Sequence, residues 1–73
     1  MTKKQREQVV ELLRCAADGE KSLREMEDAL DAPRKLTMIA LHAWDVAYRE
    51  LESHEYRRSC LLAAQRVEEG WTP

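Results

Sequence analysis

His42, His54, Cys15 and Cys60 are the side chains of this chain best suited to acid–base, nucleophilic or metal chemistry. A zinc site normally needs four such ligands, often in close pairs such as CxxC or HxxxH. Here neither the histidines nor the cysteines have that spacing. A cysteine nucleophile needs a histidine or a helix N-terminus beside it to favour the thiolate. Cys60 instead shares a helical stripe with Tyr56, Ala63 and Val67, so it reads as a small core residue. His42 falls on the less apolar side of its helix, near Asp45 and Arg49, and His54 falls in the first turn of the last helix. A protonated ring at that second position opposes the helix dipole. Both histidines read as surface residues. The expectation is a protein that is not an enzyme, with no catalytic residue, no cofactor and no metal.

Charge and aromatic residues speak to binding. The chain holds 12 basic and 14 acidic side chains, a formal charge of −2. Phosphate-binding proteins normally carry a basic excess or a basic face. The one basic cluster is Arg57 and Arg58 with Arg66 two turns later, diluted by Glu55, Glu68 and Glu69. Nucleic-acid binding is therefore the alternative reading and not the leading one. Glu25, Glu27, Asp28 and Asp31 form the marked acidic patch, read as a solvated outer face of a short helix or as a surface for a basic partner. Trp44 and Tyr48, four residues apart, edge the longest apolar helix. With Leu41, Leu62 and Trp71 they are the candidate partner-binding residues, because Trp and Tyr are enriched where binding energy concentrates.

The elements that position these groups are helices. Apolar types make up 44% of the 73 residues, with two glycines, two prolines and no phenylalanine. The spacing predicts helices over about 3–17, 23–31, 33–52 and 54–69. Thr2 with Gln5 and Ser22 with Glu25 are capping-box patterns. Gly19 is expected to end the first helix in the left-handed conformation. Leu23, Met26 and Leu30 make the stripe of the short second helix. Pro33 suits a first helical turn, with Asp31 or Ala32 as cap, and Ser53 can cap the last helix. In the third helix Leu36, Ala40, Ala43, Ala47 and Leu51 share a face that Ile39, Val46, Leu41, Trp44 and Tyr48 widen to roughly 220° of arc, against about 100° for one buried stripe. That helix should run between several neighbours. The fold expected is all-α, a compact antiparallel bundle of three long helices plus one short helix, forming a single domain over residues 1–73. So small a core leaves Leu41, Tyr48, Leu61 and Leu62 as margins for a second copy, and a homodimer is an expected state beside the monomer.

No apolar run approaches the roughly 20 residues of a membrane span. The basic start MTKKQREQVV lacks the apolar region of a secretory signal, so no membrane association, a cytoplasmic location and reduced cysteines are expected. The segments QREQVVELLRCAAD at 5–18 and YRRSCLLAAQRVEEGWTP at 56–73 resemble small accessory proteins of temperate tailed bacteriophages and prophages. The resemblance covers under half the chain and carries over no functional residues. It implies a compact protein made in a bacterial host cytoplasm that binds and modulates a host protein. Two other readings stay open: a small nucleic-acid-binding regulator using Arg57, Arg58 and Arg66, or a structural virion component.

Overall fold

Thr2 holds the chain extended, and its hydroxyl accepts the Gln5 N–H at 3.1 Å while the Gln5 side-chain oxygen accepts the Thr2 N–H at 2.9 Å. This reciprocal pair satisfies donors that a helix start leaves open and launches α1 (Lys3–Gly19). The computed structural model describes residues 1–52 and 54–73, and four helices lie among them: α1, α2 (Leu23–Ala29), α3 (Arg34–Glu50) and α4 (Tyr56–Glu68). No strand occurs among the described residues. Ser22 opens α2 with half of a capping box. Its oxygen accepts the Glu25 N–H at 3.1 Å, but the Glu25 carboxylate turns back to the Ser22 hydroxyl at 3.3 Å instead of to a backbone donor. Pro33 is itself the cap of α3, extended at φ −61° and ψ 139°, with its carbonyl accepting the Leu36 N–H at 3.0 Å. The cap therefore lies one or two residues beyond Asp31 and Ala32. The expected Ser53 cap of α4 falls outside the described residues, and Glu55 occupies the cap position.

Three of these helices end with one device. After α1, Glu20 takes the left-handed conformation (φ 51°), and the Lys21 N–H returns to the Ala16 carbonyl at 3.1 Å. After α2, Asp31 does so (φ 51°), and the Ala32 N–H reaches the Glu27 carbonyl at 3.0 Å. After α4, Gly70 stands at φ 107°, and the Trp71 N–H reaches the Arg66 carbonyl at 2.9 Å. Each is a Schellman turn, closing carbonyls the helix leaves open. The reversing residue after α1 is thus Glu20, and Gly19 stays helical. Burial of Ala16 and Ala17 carries the helix to that point. Because side chains disfavour the left-handed region, Glu20→Gly is expected to stabilise the fold by about 0.5–1 kcal/mol, and Gly70→Ala to cost about 1–2 kcal/mol. Urea unfolding midpoints of the two variants check this.

α1 carries the heaviest part of the core: Val9, Leu12, Leu13, Ala16 and Ala17 are at most 1% exposed. Its largest partner is α4. The two run antiparallel, with Arg57 at the start of α4 reaching Asp18 at the end of α1 (3.9 Å) and Glu68 pairing with Arg14 further up. α3 touches all three other helices. It crosses α4 obliquely, since Tyr56 meets Trp44 while the later Arg66 meets Glu50 (2.8 Å). Its buried line is Leu36, Thr37, Ala40, Ala43 and Ala47. Leu51 has already left the helix for an extended conformation. Thr37 was not expected inside; its hydroxyl oxygen is buried without a hydrogen-bond partner among the described residues. α3 buries Ala40, Ala43 and Ala47 and α4 buries the small residues Ser59, Cys60, Ala63 and Ala64, which lets backbones approach closely. The Cα radius of gyration, 10.8 Å, is just below the roughly 11 Å expected for this length. α2 buries Leu23 and Met26 as its apolar stripe. Leu30, expected in that stripe, is 38% exposed because α2 stops at Ala29 and the turn at Asp31 swings it outward.

Candidate functional site

The corner between α3 and α4 gathers Trp44, Tyr48 and Tyr56, three of the four Trp and Tyr side chains. Trp44 and Tyr48, one turn apart on α3, stack with ring centroids 4.9 Å apart and planes inclined 29°. Helical spacing brings them together, since residues i and i+4 lie one above the other. Tyr56, the first residue of α4, lies 6.0 Å from Trp44, and His54, just before it, packs on Tyr48 at 4.5 Å. His54 thus stands ahead of α4 and not in its first turn, and it completes a row of four rings that sequence spacing did not reveal. Trp44, Tyr48 and Tyr56 are half-buried, while His54 is exposed. The Trp44 indole nitrogen is buried and finds no hydrogen-bond acceptor among the described residues. The ring packs on Tyr48 and Tyr56.

Tyr56 fastens this corner to the rest of the fold. Its hydroxyl donates to the Lys21 carbonyl at 2.5 Å, tying the α1–α2 connection to the start of α4. Cys60 lies buried one turn further on, and burial followed by its contact with Cys60 raises the Tyr56 pKa. Burial likewise raises the Cys60 thiol above its ordinary value near 9, the contact with Tyr56 offsetting part of it. The folded protein then holds protons that the unfolded chain has lost, so unfolding releases protons and stability falls as pH rises from about 9. Urea midpoints at pH 8 and 10.5 should show this decline, smaller in Cys60→Ala.

The other candidate residues are dispersed. Leu41 and Leu62 are half-buried against the core, and Leu61 is 38% exposed. Trp71, directed by the Gly70 turn, packs on the core with its ring edge-on to His42 at 5.3 Å. Of the arginines, Arg57 faces Asp18 and Arg66 faces Glu50, each meeting a carboxylate within the fold. The acidic patch divides. Glu25, Asp28 and Asp31 are exposed, but the Glu27 side chain is only 15% exposed beneath Arg34, 3.5 Å away. Cys15 is half-buried, and burial together with Glu11 and Asp18 raises its pKa, keeping the thiol protonated.

A groove along α1, about 530 Å³, has Val10 and Cys15 in its floor. Its rim mixes Lys3, Arg6 and Arg14 with Glu7, Glu11 and Glu68, so it has no net pull on an anion. Among the described residues no cluster of three or more His, Cys, Asp or Glu could hold a metal ion, and no helix is long and apolar enough to cross a membrane. Fold and surface together define a small all-α domain with one aromatic corner. The chain matches no family model, and no curated protein or solved structure matches it.

Proposed function

We propose that this chain is a small accessory protein of the temperate-phage type that acts in a bacterial host cytoplasm by binding and modulating a host protein. The observation that carries this reading is the row of half-buried Trp44, Tyr48 and Tyr56 with exposed His54. Rings that already pack on one another lose little conformational freedom when a partner covers them, and partly exposed Trp and Tyr are the residue types that anchor interfaces. The resemblance of segments 5–18 and 56–73 to phage accessory proteins supplies the setting.

The test is affinity purification of the tagged chain from a bacterial host, identification of the bound protein, and titration of the purified pair. Tyr48→Ala and His54→Ala together are expected to weaken that complex at least tenfold, on the order of 1.4 kcal/mol, with circular dichroism unchanged. An affinity unmoved by the double variant would place the contact elsewhere and overturn the proposal.

A further inference from the structure

The outer face of α3, away from the aromatic corner, carries a second and independent pattern. Met38 is 58% exposed, the most exposed large apolar residue among those described. It stands beside an open apolar groove lined by Lys35, Met38, Ile39, Leu41, His42 and Pro73. A protruding side chain next to a groove on the same face is what a two-fold contact requires, because each copy then offers both the knob and the hole.

The spacing along this face sets a register. Lys35, Met38, His42, Asp45 and Arg49 recur at alternating steps of three and four, the seam by which helices pack in pairs. Met38 and His42 lie two residues either side of Ala40, and Lys35 and Asp45 lie five either side. An antiparallel pair centred at Ala40 therefore sets Met38 of each copy against His42 of the other, and Lys35 against Asp45. We propose that the outer face of α3 binds the same face of a second copy of this chain in that register. The thioether of Met38 then meets the His42 ring, which Trp71 backs edge-on at 5.3 Å. Asp45 already holds Arg49 at 3.1 Å, so Lys35 of the second copy adds a second cation to an exposed pair. Sliding the helices by one heptad would set Met38 against Arg49, so charge and apolar surface select one register.

Sedimentation velocity and light scattering across protein concentration test the proposal. The molecular mass is expected to rise from one chain to two over about 10–500 µM, as a small interface gives. Met38→Lys, at an exposed position that the fold tolerates, should raise the dimer Kd at least tenfold with unchanged circular dichroism. Lys35→Asp should raise it at least fivefold, and the exchanged double variant Lys35→Asp/Asp45→Lys should return it to within threefold of the parent. A single-chain mass at every concentration would overturn the proposal. So would a dimer indifferent to Met38→Lys, or an exchanged pair that fails to recover. A dimer lost instead in Tyr48→Ala would move self-association to the aromatic corner, leaving this face without a role.

Discussion

Leu13→Ala is expected to destabilise this protein by about 3–4 kcal/mol, lowering its thermal midpoint by roughly 15–30 °C. Leu13 is 0% exposed and sits at the centre of α1, the helix that meets all three others. Truncation removes the transfer free energy of the lost methyl groups and leaves a cavity that rigid helices on several sides cannot close. A domain of this size has about 4–11 kcal/mol of total stability, so one truncation removes a large fraction of it. Leu61→Ala, at a residue 38% exposed on α4, is the matched control and should cost under about 1 kcal/mol. Thermal and urea unfolding of the pair read the difference. Equal losses would mean that the core does not centre on α1.

Ala63→Leu should be nearly as damaging for the opposite reason. Ala63 is 0% exposed on α4, in a fold whose long helices meet through buried Ala16, Ala17, Ala40, Ala43 and Ala47. Small side chains let two helix axes come within about 8 Å. Three added carbons have no space to enter, so the helices must separate or adopt strained rotamers, at a cost of about 2–3 kcal/mol. The expected signature is a lower urea midpoint and loss of near-ultraviolet dichroism, because Tyr56 begins the same helix and Trp44 packs against it. Ala63→Gly, which opens space instead of filling it, should leave the aromatic signal in place.

The starts of α1 and α2 were the most legible part of this chain, because side-chain caps are local. The Thr2 hydroxyl and the Gln5 amide need only each other, and both bonds form. Existence and order of the four helices followed from apolar spacing for the same reason, as did the buried line through Ala40, Ala43 and Ala47. Helix ends were less legible. Which residue reverses the chain depends on which carbonyls the next segment can reach, and that is a tertiary matter. Glu20 and Asp31 therefore take the strained conformation without glycine's freedom. The aromatic corner was half visible: Trp44 and Tyr48 share a helix edge, but Tyr56 and His54 join them only through the crossing of α4 over α3. Thr37 illustrates the same limit, a polar residue only 1% exposed that its type alone would not place in the core.

The pairing of the first helix with the last has a consequence for how the chain is made. Joining α1 to α4 closes a loop of nearly forty residues, an entropic cost of about 3 kcal/mol before any contact between them forms. A ribosome adds about 5–20 residues each second, so roughly 3–13 s separate the start of α1 from the end of α4, the last of the four helices to emerge. Through that interval Val9, Leu12 and Leu13 wait without their main cover, on a nascent helix marginal by itself. Folding of the bundle is thus deferred until α4 has emerged, and until then the α1 face is open to chaperones and proteases.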